Sequence, residues 1–276
     1  MNQTNTGGSI MRMSVFLYHA VVSRRPQWLR WRERKYWMDA GEFRRHLALL
    51  GASKHPVVRL ADCWRATTFP SSVPSLLQGP PQPDPLVLTF DDGWQSDYSL
   101  VWPLLLEAGI PATFFVNTQT LGQPGHLRWS QVRKMSSEGA SFQSHGHRHV
   151  DLTRLDDRAL ETELRMSKDL LEGWVKTPVE FLAAPYGRVS RRVVDTALEA
   201  GYQAVCTSDP RPAAPRAERV SRVAIHAGTK PTELAGLIES RRMPYWGRSA
   251  QAAILAPAKL FLRPPSPKRK FLPETA

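Results

Sequence analysis

Two adjacent carboxylates, Asp91 and Asp92, end the apolar run of residues 86–90 in "LVLTFDDGWQSDY" and are followed by Gly93. Neighbouring acids at a buried strand end repel each other and lose hydration, so they call for a compensating cation or a proton. An Asp-Gly turn accounts for Asp92 and Gly93 and leaves Asp91 without a task. Further on, "SHGHRH" places His145, His147 and His149 within five residues. A spacing of four puts two imidazoles on one face of a helical turn, and a spacing of two does the same on an extended strand. The cluster alone fits a solvated loop as well as a metal site. Joined to an acidic strand end it becomes more pointed. Two histidines and one carboxylate leave positions on a metal open for water and substrate, which is the catalytic arrangement.

Those residues need elements to carry them. Residues 15–18, 86–90, 112–116, "ASFQS", "VEFLAA", "QAVCT" and "VSRVAI" read as strands. Helices alternate with them. "DAGEFRRHLALLGA" has Asp39 as a cap, Phe43, Leu47 and Leu50 at helical spacing, and Gly51 as a stop. Residues 100–108 end at Gly109, and Ser130 is expected to cap a short helix that Gly139 ends. Residues 156–174 put Leu160, Leu164, Leu171 and Trp174 on one side, and residues 191–200 precede Gly201. The alternation predicts an α/β fold, a single-domain (β/α) barrel of about seven parallel strands. In such barrels chemistry sits at the C-terminal strand ends. Asp91, Asp92, His145, His149, Pro185, Tyr186 and His226 all fall there.

The net charge is +12. Residues 1–56 hold 10 Lys/Arg against 3 Asp/Glu, and residues 241–276 hold 8 against 1, while the stretch between holds 19 against 21. The basic character therefore belongs to the two ends. No nucleic-acid-binding motif accompanies it, so nucleic acid is not an expected partner. The end of the chain, "AQAAILAPAKLFLRPPSPKRK", joins apolar to cationic residues. It reads equally as a basic, proline-rich tail and as a segment able to lie on an anionic membrane. Cys63 and Cys206 are the two cysteines, which suggests a reducing compartment. "MNQTNTGGSI" lacks the cationic flank of a signal peptide, and "SVFLYHAVV" reads as a first strand. The expected location is cytoplasmic, with the tail able to hold the chain at the inner face of a membrane. The expected organisation is a flexible stretch 1–12, a barrel over 13–240 and a tail over 241–276. Residues 69–85, rich in proline, read as a surface connector.

"TFDDG", "SHGHRHVDLTRL" and "APYG", in this order and spacing, resemble the NodB-homology polysaccharide deacetylases, a family of carbohydrate esterases. "FLYHAV" and "FRRHLALL" resemble a branch of it. The resemblance implies a distorted (β/α) barrel and a hydrolase that removes N-acetyl, sometimes O-acetyl, groups from saccharides with a divalent metal, usually zinc. It implies Asp92, His145 and His149 as metal ligands and Asp91 as general base. It also implies the backbone N–H of Tyr186 as an oxyanion donor and His226 as the best candidate for general acid. His147 is expected to contact solvent or substrate, and His19 to sit in the core or behind the site. Many relatives carry an arginine that orients the base where this chain has Ala183. The same fold cutting another C–N bond, such as a formamide or cyclic imide, and a non-catalytic carbohydrate-binding descendant are the alternatives. The intact Asp91, Asp92, His145 and His149 argue against the last.

Overall fold

The computed structural model describes residues 13–23, 35–68, 83–209 and 217–239. The strands are β1 Ser14–Tyr18, β2 Val21–Val22, β3 Met38–Asp39, β4 Leu86–Asp92, β5 Thr113–Val116, β6 Ser141–Ser144, β7 Phe181–Ala183, β8 Ala204–Cys206, β9 Arg219–Val220 and β10 Val223–Ala224. The helices are α1 Ala40–Gly51, α2 Leu60–Thr68, α3 Trp102–Ala108, α4 Trp129–Ser137, α5 Asp157–Val175, α6 Arg191–Glu199 and α7 Pro231–Ile238. Eight strands form one sheet in the order β10-β1-β4-β5-β6-β7-β8-β9. Every pairing in it is parallel. β2 and β3 form a separate parallel pair.

Strand parity explains the two cores. Side chains alternate faces along a strand. Phe16, Leu88, Phe90, Phe114 and Phe142 face outward and pack under the helices. Val15, Val87, Phe115, Phe181, Ala183, Cys206 and Val220 face inward and meet in one buried cluster. Strands so far apart in the sheet order can share a cluster only if the sheet curls, so the architecture is a distorted (β/α) barrel. Leu60, Cys63 and Trp64 of α2 belong to the same inner cluster, and the Leu60 N–H donates to Thr113 Oγ1 at 3.2 Å. Cys63 and Cys206 are both free and buried, and burial pushes each thiol up to about 12.

The parallel sheet is one strand wider than expected, because "VSRVAI" is broken at Ser221 and Arg222 into β9 and β10, which pair with opposite edges of the sheet. α2 and α7 are additions to the expected elements. α1 runs through Gly51, with Ala52 as its C-cap, and Asp39 accepts the Gly41 N–H at 2.8 Å as anticipated. The N-cap of α4 is Arg128, with Gln131 Oε1 accepting the Arg128 N–H at 2.8 Å, so Ser130 lies inside the helix rather than at its cap. A π-helical turn, Asp97–Val101, precedes α3, which ends at a left-handed Gly109. Leu160, Leu164 and Leu171 are buried as the periodicity demanded, whereas Trp174 is exposed and stacks on Trp129. Among the described residues no helix is long and apolar enough to cross a membrane. The N-terminal stretch 1–12, residues 69–82 of the proline-rich connector and the basic tail lie outside the described residues, and so does the expected membrane contact.

Candidate active site and metal centre

The parallel register brings the acids and the first histidine to one end of the barrel. Asp91 and Asp92 stand level with Phe115 and Val116, and Val116 with Ser144. His145 then continues β6, its N–H donating to Val116 O at 2.9 Å. Asp91 shares the parity of Val87 and Thr89, so it points into the top of the barrel and is 3% exposed. Beyond His145 the chain follows neither a helical turn nor a strand. Gly146 at φ 76° and His149 at φ 55° bend it back, which returns His149 to face His145 with ring centroids 5.0 Å apart. Glu163, buried on α5, holds the bend: its carboxylate accepts the N–H groups of His147 and Arg148 and pairs with the Arg148 guanidinium at 2.7 Å. His147 turns away from the acids and contacts Thr118 Oγ1 at 2.8 Å.

Asp92, His145 and His149 offer three ligand atoms that all lie within 4.8 Å of one another. His145 Nδ1 lies 2.8 Å from the carbonyl of Ala183. A carbonyl only accepts, so Nδ1 carries the proton and Nε2 presents a lone pair. That Nε2 is 3.5 Å from Asp92 Oδ1, and His149 Nε2 is 3.2 Å from the same oxygen. Burial would raise the Asp92 carboxyl, but its contacts with His145 and His149 hold it well below the usual range. An ionised carboxylate between two imidazole nitrogens, one with its tautomer fixed from behind, is a donor set that suits a divalent ion with positions left open. Backbone strain gathers here as well. Among the described residues, Asp92, His149 and Tyr186 are three of the four non-glycine residues with positive φ; the fourth, Lys176, is a helix C-cap.

Asp91 has a different partner. The Arg222 guanidinium, fully buried at the break between β9 and β10, meets it with Nη1 to Oδ1 at 2.7 Å and Nη2 to Oδ2 at 2.8 Å. Arg222 Nε donates to Thr207 O at 3.2 Å, and the guanidinium lies 5.0 Å over the Phe115 ring. Burial opposes ionisation of Asp91, yet the charge and hydrogen bonds of Arg222, joined by the nearby His145 and His19, together keep the carboxyl below its ordinary value. Asp97 is the converse. It is fully buried and neither oxygen makes a well-aligned hydrogen bond among the described residues. Burial and then the charge of Asp92 push its pKa well above the carboxylate range.

The "APYG" turn packs on the second histidine. The Tyr186 hydroxyl donates to His149 O at 3.3 Å and the two rings lie 4.8 Å apart. Arg188 reaches Asp151 at 2.5 Å, which ties this turn to the loop that follows the histidines. His226 lies beyond β10 with its ring 5.4 Å from Tyr36, and the His19 ring lies 4.7 Å from Tyr36. His19 is near enough to Asp92, Asp91 and His145 to feel their charges, and burial lowers its pKa. Its Nδ1 is closed off from solvent without a hydrogen-bond partner among the described residues.

The match to known proteins falls on this region. A family model described as polysaccharide deacetylase matches residues 78–205. A chitooligosaccharide deacetylase of Sinorhizobium fredii is 31% identical over 170 residues, which is 56% of this chain and 77% of that protein. The chain belongs to the polysaccharide deacetylase family. A peptidoglycan-N-acetylglucosamine deacetylase of Bacillus cereus is 34% identical over 130 residues, 46% of this chain and 59% of its own length. The chain spans between 46% and 59% of the length of three of its curated relatives. Among solved structures, the Streptococcus pyogenes deacetylase PplD superposes with a TM-score of 0.73 at 22% identity, over 84% of this chain and 100% of that one. At that identity the likeness speaks for the fold. Against the deacetylase pattern, Arg222 is the residue that sequence reading missed. Ala183 stands where the resemblance led an arginine to be expected, and Arg222 is the arginine that meets Asp91.

Proposed function

We propose that this chain is a divalent-metal-dependent hydrolase that removes the acetyl group from the nitrogen of an N-acetylated saccharide. The observation that carries the reading is the division of labour between adjacent acids. Asp92 faces two imidazoles whose free nitrogens converge on one of its oxygens, and Asp91 faces a buried arginine. Zinc is the ion this donor set suits best. The names of the relatives, deacetylases of chitooligosaccharide and of peptidoglycan N-acetylglucosamine, support the substrate class.

A divalent ion held by Asp92, His145 and His149 would polarise the acetyl carbonyl and lower the pKa of a water towards about 7. The protein's own groups do the rest. Asp91, kept ionised by Arg222, takes the proton of the attacking water, a contribution of about 10²–10⁴-fold for a well-placed base. Arg222 uses one lone pair on each Asp91 oxygen and so fixes the plane of the carboxylate while leaving a second lone pair to receive that proton. The backbone N–H of Tyr186 is assigned to the oxyanion. Delivery of a proton to the departing nitrogen is assigned to His226, because burial lowers the His19 pKa and leaves that ring a poor proton donor.

The test is mass spectrometry of N-acetylated oligosaccharides incubated with wild type, Asp91→Asn, His19→Ala and His226→Ala. Wild type should release acetate and leave the free amine. Asp91→Asn should be inactive, and His226→Ala should lose more activity than His19→Ala. Undiminished turnover by Asp91→Asn would place the base elsewhere.

A further inference from the structure

We infer that Trp94 is a positioning residue for the metal centre, holding Asp92 to a single ligand oxygen. This rests on the metal reading above. Both imidazole Nε2 atoms approach the same atom, Asp92 Oδ1, at 3.5 and 3.2 Å. The other oxygen, Oδ2, accepts the Trp94 indole N–H at 3.3 Å. A carboxylate oxygen engaged by an indole donor has one lone pair fewer to offer an ion, whereas the oxygen that both imidazoles approach carries no such donor. Coordination through one oxygen rather than two keeps one more position on the ion free for water and carbonyl.

The indole is held as a fixed donor. His126 stacks on it with centroids 4.9 Å apart and planes 19° apart, and Trp37 meets it edge-on at 5.2 Å. Its backbone bridges to His126, flanked by Gln95 N–H to Gly125 O and Leu127 N–H to Gly93 O, both at 2.9 Å. Gly93 permits this clamp: it adopts φ 68°, and a Cβ there would lie 2.9 Å from Val116 Cγ1. Partners that orient a metal ligand typically carry about 10–100-fold in metal affinity when removed.

Cobalt(II) is the probe, because its visible absorption weakens as coordination number rises. The chains compared are wild type, Trp94→Phe, and a chain with a tryptophan isostere at position 94 in which sulfur replaces the indole N–H. The isostere keeps the ring packed between His126 and Trp37, so it reports on the donor even if Trp94→Phe folds poorly. His126→Ala, which keeps the donor and loses the packing, and Asp92→Ala complete the set. The isostere chain should bind cobalt about 10–100-fold more weakly and with a fainter visible spectrum, while His126→Ala changes less. Wild-type affinity and spectrum in the isostere chain would overturn the role of Trp94. Unchanged cobalt binding by Asp92→Ala would overturn the metal reading beneath it, and the two results are distinguishable.

Discussion

Asp97 lies five residues beyond Asp92, buried with both oxygens lacking well-aligned partners, and its pKa stands well above the ordinary value. A buried acid shifted upward favours the fold while protonated and costs stability once the pH climbs above its unfolded pKa of about 3.9. Asp97→Asn removes that charge at nearly constant shape. Thermal unfolding should therefore show the variant melting higher than wild type at pH 7.5, with the gap closing towards pH 4. Equal melting temperatures at pH 7.5 would mean that Asp97 is charged and compensated. At this scale much of the site was legible. Asp91, Asp92, His145 and His149 sit in two short motifs whose residue types already pair carboxylates with imidazoles, and the fold brings them together. Trp94 and Asp97 were visible as letters in the first motif, but their tasks depend on side-chain direction and burial, which spacing does not encode.

Among the elements, the break between β9 and β10 matters most for the chemistry. It lets one short segment supply a strand to each edge of the sheet, and Arg222 stands between them pointing inward to Asp91. No local pattern announces this, because the partners are 131 residues apart and meet only when both sheet edges are in place. Glu163 escaped notice for a similar reason: on α5 it looks like any helix-surface acid until the histidine loop folds over it. Removing one partner of a buried ion pair leaves the other uncompensated and costs about 3–5 kcal/mol. Arg222→Ala should lose that much in urea denaturation and most of its deacetylase rate. Arg222→Lys should recover stability better than rate, since an ammonium cannot hold both oxygens in one plane. A Lys variant with wild-type rate would remove the orienting role.

In the whole molecule, the two ends of the described chain are joined through a buried histidine. His46 on α1 reaches Thr229 O with Nε2 at 3.3 Å, just before α7, and Tyr18 of β1 with Nδ1 at 3.4 Å. A carbonyl only accepts, so Nε2–H donates and the tyrosine hydroxyl donates to Nδ1, a pattern that needs the neutral ring. Burial lowers the pKa of His46. A histidine shifted downward supports the fold above its unfolded pKa of about 6.5, and that support is lost as the pH falls below it. The urea midpoint of wild type should drop between pH 7.5 and 5.5 more than that of His46→Gln; parallel curves would show that His46 does not control acid stability. The alternation of strand and helix made the barrel legible. α2 and α7 were not, because each is short and its apolar residues only find partners once the sheet has curled and its edges exist.

The metal centre is tested most directly by titrating wild type, Asp92→Ala and His145→Ala, with each chain equilibrated against zinc and a competing chelator and the bound metal measured by elemental analysis. Wild type should hold about one tightly bound ion per chain, and both variants should lose it with the fold retained by circular dichroism. Equal metal content in all three chains would contradict it.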